Sequence, residues 1–210
     1  MRELILKMSI SIDGFVGDSD GGLKWMFSGD SEAVAWTVDT VWNASLHIMG
    51  SRTFRDMVSF WPTSTEVFAP PMNQIPKAVF SRRGASILET LGTTGALRDA
   101  RANAGGGGSA TLQPGAESWG EAYVASGDLA KEVADLKAKD GKPIIAHGGA
   151  SFARSLIAAG LVDQYHLLVH PVALGKGLPI FSGLTAPRRL HLLSTKVFPK
   201  GAMARIYRDA

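Results

Sequence analysis

From Leu4 to Ile12 every even position is apolar (Leu4, Leu6, Met8, Ile10, Ile12), while Lys7, Ser9, Ser11 and Asp13 fall on the other side. Successive side chains of an extended chain point to opposite faces, so this period of two predicts a long strand with one core face. Such a strand needs neighbours. Three short apolar runs supply them: Leu46 to Met49, Lys77 to Phe80, and Ile144 to Ala146. Helical spacing intervenes between them. Ser28 or Asp30 is placed to cap a helix running to about Ala44, with Val34, Val38, Val41 and Trp42 near one stripe. A second helix follows Asp128, with Leu129, Val133 and Leu136 on one face and Gly141 as its stop. A third carries Phe152, Leu156 and Ile157 before Gly160, and the tail from Gln164 to Arg208 reads as several strands. Strands alternating with helices, then a strand-rich end, predict an α/β fold with a mixed sheet.

At 210 residues the chain is long enough for a single substantial domain, and 45% hydrophobic with 20% charged residues excludes wholesale disorder. No apolar run approaches the ~20 residues of a membrane span. Met1-Arg2-Glu3 leads into a strand pattern rather than a secretory leader, so a cytoplasmic protein is expected. The absence of cysteine removes thiol catalysis and Cys-ligated zinc. His166 and His170 share a strand face but lie roughly 13 Å apart, too far for one metal, and read as core or interface histidines. A net charge of +3 without a dense basic stripe argues against nucleic acid and leaves small anionic ligands open. One segment, Gly84 to Ser118, does not fit a compact core. It holds Gly105 to Gly108 and is otherwise mostly Ala, Thr, Ser and Arg, so a flexible insertion at about 84–118 is expected, with a short helix near Leu88 and Leu91.

The ends of the predicted strands carry the chemistry. Ile144-Ile145-Ala146-His147 hands over to Gly148-Gly149-Ala150-Ser151, where the free N–H groups of a helix start can hold a phosphate and two glycines allow close approach. A tight turn with glycines chosen for backbone angle alone is the plainer alternative. Gly50-Ser51-Arg52-Thr53 repeats the theme, and Lys77 to Phe80 ends at Ser81-Arg82-Arg83. In open α/β sheets ligands collect beyond the carboxyl ends of strands, and Arg beside Ser is a sensible holder for a ribose 2′-phosphate. Taken singly, these arginines read equally as solvated surface charge. Asp13 is either a proton relay or substrate anchor, or a turn residue before Gly14. Trp25, in the polar loop from Gly17 to Gly29, must fold back onto something.

Six motifs in order resemble the dihydrofolate-reductase-like fold, and within it the reductase-domain family of bacterial riboflavin biosynthesis. They are Ser11 to Phe15, Gly50 to Phe54, Phe80-Ser81-Arg82, Gly148 to Ser151, Gly160 to Asp163, and His170 to Gly175 continuing to Phe181. The resemblance implies a mixed, mainly parallel central sheet flanked by helices, NADPH lying across the strand ends, and a homodimer, with the strand from His166 to Val172 as interface. Carried over residue by residue, Gly148, Gly149, Ala150 and Ser151 would hold the pyrophosphate. Gly50, Arg52 and Thr53 would contact the phosphates, and Ser81 with Arg82 the 2′-phosphate. Ser9, Ser11 and Asp13 would face the nicotinamide and substrate, with Asp13 catalytic. Trp25 would close over the cleft and Lys176 meet a substrate phosphate. The implied activity is NADPH-dependent reduction of a small heterocycle, similar to 5-amino-6-(5-phosphoribosylamino)uracil reductase. The alternatives are a nucleotide- or flavin-binding protein without turnover and a pterin or folate reductase, the latter disfavoured because Glu32 and Asp39 fit its cleft acid poorly. The zinc deaminase that accompanies the reductase in the full riboflavin enzyme has a His/Cys signature, which this cysteine-free sequence does not contain.

Overall fold

The computed structural model describes residues 1–91 and 111–210. Its frame is one eight-stranded sheet. The strands are β1 (Leu4–Ser11), β2 (Leu46–Gly50), β3 (Lys77–Phe80), β4 (Tyr123–Ala125), β5 (Ile144–His147), β6 (Gln164–His170), β7 (Leu190–Val197) and β8 (Met203–Asp209). They lie in the order β4-β3-β2-β5-β1-β6-β8-β7. Pairing is parallel from β4 through β6 and antiparallel among β6, β8 and β7.

The helices are α1 (Ser31–Trp42), α2 (Ser51–Val58), α3 (Ala69–Gln74), α4 (Ser86–Leu91), α5 (Leu129–Ala138) and α6 (Ala150–Ala158). They cover both faces of the parallel strands, as a parallel sheet requires. The even residues of β1 fulfil the alternation: Leu4, Leu6, Met8 and Ile10 pack with Val133 and Leu136 of α5 and with Ala153, Leu156 and Ile157 of α6. On the other face Met49 and Val79 meet Val41, Met72 and Trp119, and Leu168 of β6 meets Ala33 of α1. Asp30 is the α1 cap, its carboxylate accepting from the Glu32 and Ala33 amides.

Two expectations change. The alternation puts Ile12 on the core face, but β1 ends at Ser11 and Ile12 is 62% exposed. The chain turns there, because the Gly14 amide donates to the Ser11 carbonyl and the Ile12 amide to the Val172 carbonyl. Within the expected insertion, the tetraglycine lies outside the described residues, while a short helix forms as anticipated at Ser86–Leu91. Residues 111 to 118, however, lead directly into the core: Ala116 and Trp119 are buried, and the Trp119 indole donates to Asn73 Oδ1 at 2.8 Å. β6 lies inside the sheet between β1 and β8, so both of its edges are paired and only its faces are left for any contact with a second chain. Among the described residues the free sheet edges are β4 and β7, and β7 is exposed along nearly its whole length, including Leu192, Leu193 and Val197. Among the described residues no helix is long and apolar enough to cross a membrane.

Candidate functional site

The carboxyl ends of β3, β2, β5, β1 and β6 stand side by side in that order. This brings together residues separated by more than a hundred positions in the chain. The centre is built from two strand-to-helix turns. β2 passes through Gly50 into α2, and neighbouring β5 passes through Gly148 and Gly149 into α6. Neither helix start receives a side-chain cap, and neither carries an acidic residue in its first turn. The first amides of an α-helix lack intrahelical partners and carry partial positive charge. Two such starts lie on adjacent strands, and among the described residues neither has a carboxylate in its own first turn to neutralise it.

The two turns interlock. A β-carbon on Gly149, whose φ is +78°, would stand 2.5 Å from Thr53 Oγ1 on α2. A β-carbon on Gly50 would stand 3.2 Å from the Phe152 β-carbon on α6. Each glycine therefore makes room for the first turn of the other helix. This collects Gly50, Arg52, Thr53, Gly148, Gly149, Ala150 and Ser151 at one place, and it is a cradle that fits a pyrophosphate: paired amides, a hydroxyl, a guanidinium and no competing acid.

One strand outward, Ser81 is buried at the end of β3, its amide donating to the Ala125 carbonyl and its hydroxyl accepting from the Arg83 amide. Arg82 is exposed beside it, as Arg52 is at the head of α2, and among the described residues neither has an ion-pair partner. Phe80 rests on Phe152 with ring centroids 5.0 Å apart, tying this strand end to the cradle.

On the other side of β5, Ser11 is fully buried at the end of β1. Its hydroxyl donates to Asp13 Oδ1 at 2.6 Å and accepts from the Phe15 amide. The Asp13 carboxylate also accepts from the amides of Leu174 and Gly175. These hydrogen bonds, the Ser11 hydroxyl first, hold the Asp13 carboxyl below the usual carboxylate range. Asp13 is thus ionised near neutrality with its oxygens engaged, which suits a clamp on the 171–177 loop and not a proton donor. Lys176 is exposed in that clamped loop. Trp25 folds inward as anticipated, its ring edge-on to His170 with centroids 5.6 Å apart and its indole donating to the Gly22 carbonyl.

The polar face of β1 is not open to solvent. Lys7 lies in register with His147 of β5 and His166 of β6, and Ser11 with His170. Trp36 of α1 covers His166 at 6.5 Å. Burial lowers the Lys7 ammonium to about 8. Burial first, then nearby lysine charge, lowers His147 to about 3 and His166 to about 4, and moves His170 in the same direction. Sequence reasoning reads His166 and His170 as core or interface histidines, but only the strand order assembles them with Lys7 and His147. α1 adds no acid to this face: Glu32 and Asp39 are exposed, and the buried Asp30 is engaged by its own helix and by the Lys200 amide. Among the described residues no cluster of His, Asp or Glu suits a metal ion. A separate cavity of about 510 Å³, lined by Ala158, Gly183, Arg188, Arg189 and Asp209 among others, lies at the opposite end of the sheet.

The family model of the RibD C-terminal domain matches residues 2–204. The uncharacterized protein YyaP of Bacillus subtilis is 24% identical over 211 residues, covering 98% of this chain and 94% of that one. Among solved structures, a pyrimidine reductase-like protein of Corynebacterium diphtheriae superposes with a TM-score of 0.61 at 18% identity, over 100% of this chain and 92% of that one. Dihydrofolate reductase of Enterococcus faecalis, complexed with NADP(H), gives a TM-score of 0.56 at 13% identity over 99% and 96% of the two chains. The sheet is thus of the dihydrofolate-reductase-like type.

Proposed function

Because the chain belongs to the RibD C-terminal domain family, and because its two central strand ends build an interlocked, acid-free cradle, we propose that it is an NADPH-dependent oxidoreductase acting on a small heterocycle. The cradle is the observation that carries this reading. Gly148, Gly149, Ala150 and Ser151 present amides to the pyrophosphate, with Gly50, Arg52 and Thr53 closing its other side. Ser81 and Arg82 take the 2′-phosphate. When bound, the coenzyme supplies a hydride to an electrophilic C=N or C=O carbon. Ser9 forms the floor beside it, with the buried Ser11 beneath holding Asp13 in place; Trp25 shields that floor from water, and Lys176 stands at the rim for a substrate phosphate. Asp13 positions the Lys176 loop. We place the dimer contact of the homodimer on the exposed face of β7.

A titration of NADPH, with NADH in parallel, tests the reading. Micromolar binding with preference for NADPH is expected, and Arg82→Ala should abolish the preference while leaving NADH affinity unchanged. Oxidation of bound NADPH by 5-amino-6-(5-phosphoribosylamino)uracil then tests turnover. Equal and very weak binding of both nucleotides would reject the cradle assignment. A second reading, nucleotide binding without reduction, draws on the engaged state of Asp13; it predicts tight NADPH binding with no oxidation by any ring offered. The absence of a carboxylate on the described inner face of α1 weighs against a pterin or folate substrate.

A further inference from the structure

The face of the sheet that packs on α5 and α6 does not end at β1. Ile10 lies in register with Val169 of β6, Met8 with Leu167, and Leu167 in turn with Arg205 of β8, so these side chains share that face. Over β1, β6 and β8 it holds a cavity of about 330 Å³. The floor is apolar, since Ile10, Leu167 and Val169 are all buried. Around it stand the half-buried rings of Phe181 and Tyr207 and the side chains of Arg188 and Arg205. This wall is built in advance of any ligand. Phe181 rests on the buried Tyr165 ring with centroids 6.1 Å apart, and Arg188 donates to the Tyr165 hydroxyl at 3.3 Å.

The two arginines differ. Arg188 has the Asp209 carboxylate at 3.6 Å. Arg205 has no ion-pair partner among the described residues, and its guanidinium makes only a long contact, 4.0 Å, to the Met203 sulfur. A guanidinium held beside apolar surface gains most from a carboxylate, which meets its fork with two parallel hydrogen bonds. The surrounding chain has none to spare: from Phe181 to Ala210, six lysines and arginines accompany a single acidic side chain, Asp209, which already serves Arg188. Pockets for small molecules start at about 300 Å³, are mostly apolar and carry a few polar groups that orient the ligand. We infer that the cavity is a binding site for a compact apolar monocarboxylate, its hydrocarbon part on Ile10, Leu167 and Val169 and its carboxylate on Arg205. Side chains of Ile10 and of the next residue, Ser11, point to opposite faces of β1. The occupant therefore rests behind the strand whose Ser11 holds Asp13, without entering the cleft. The site does not depend on the reductase reading.

The test titrates the whole protein by calorimetry with 2-naphthoate and, in parallel, with 2-naphthamide, its uncharged counterpart of nearly the same shape. 2-Naphthoate should saturate a single site per chain and bind tighter than the amide by about tenfold or more, the scale of a hydrogen bond to a charged group. Arg205→Met keeps an apolar stem and removes the charge, and in it the preference for the carboxylate should vanish. Methyl NMR of the wild type needs no variant to fold: 2-naphthoate should shift the methyl signals of Ile10, Leu167 and Val169 and leave those of Thr53 and Ala150 in the cradle unmoved. Equal affinity for the two probes, a preference that survives in Arg205→Met, or shifts at the cradle in place of the sheet face overturns the inference. So does the absence of saturable binding; if the protein then sediments as a dimer and the three methyl signals move on dilution to the monomer, a second copy covers this face instead.

Discussion

Thr53 Oγ1 on α2 occupies the space into which any side chain at Gly149 would have to grow. The two residues are 96 positions apart in the chain numbering, yet each fixes the other: the glycine admits the hydroxyl, and the hydroxyl forbids a methyl group. Two helix starts held this way cannot drift apart without opening the cradle.

Gly149→Ala should therefore be costly in two ways. The φ of +78° costs an alanine about 1–2 kcal/mol, and the contact with Thr53 adds to it. In the Gly149→Ala/Thr53→Ala double variant the destabilisation should be smaller than the sum of the singles, by about 0.5 kcal/mol or more, as for residues in direct contact. Urea denaturation of the four proteins checks this, and strict additivity would refute the interlock.

Removing the Asp13 carboxylate should free the loop after β6. In Asp13→Ala the amides of Leu174 and Gly175, both donors to that carboxylate, should exchange with deuterium much faster, while amides of β1 and β5 stay protected. Equal protection in variant and wild type would mean that the clamp has no influence on the loop.

Acid should weaken the fold through the buried imidazoles. His147 titrates at about 3 when folded, against about 6.5 in an unfolded chain. Below pH 6.5 the unfolded state thus binds the extra proton. Stability, complete above that pH, then falls toward pH 3 by up to about 1.4 kcal/mol per pH unit for this site. His166, at about 4, adds a similar slope over the upper part of the range. Urea midpoints at pH 7.5, 6 and 5 should decline, and His147→Gln should flatten the decline.

Trp119→Phe keeps most of the buried ring and deletes the donor to Asn73 Oδ1. With Asn73 wholly buried, the orphaned oxygen should cost about 1–3 kcal/mol. Substituting Asn73→Leu in the same variant removes that oxygen, and should not cost the full penalty a second time; calorimetry of the pair distinguishes the two.

The frame was legible where period and punctuation agree. The alternation of Leu4 to Ile10 places β1, and Gly50 and Gly149 mark the two turns because a strand must stop and a helix start there. Trp119 was missed, although it is among the largest fully buried side chains, because a stretch rich in Gly, Ala and Ser masks its approach. His166 and His170 are legible as core or interface histidines, but their assembly with Lys7 and His147 is not, for a topological reason. Taken alone, each is a polar residue on a strand face; their union requires knowing that β5 and β6 flank β1. Ile12 misled because alternation does not register a turn that begins one residue earlier.

Placing β1 between β5 and β6 also sets a timetable. The first strand made has no neighbour in the sheet until residues 144–147 and 164–170 exist. At about 5–20 residues per second of synthesis, Leu4 to Ile10 wait roughly 7 to 28 s with their apolar side chains unpaired. This arrangement, in which early sequence is locked only by late sequence, makes the nascent chain a natural client for a chaperone at the ribosome. It also means that any stalled or truncated product ending before β6 leaves the middle of the sheet unbuilt.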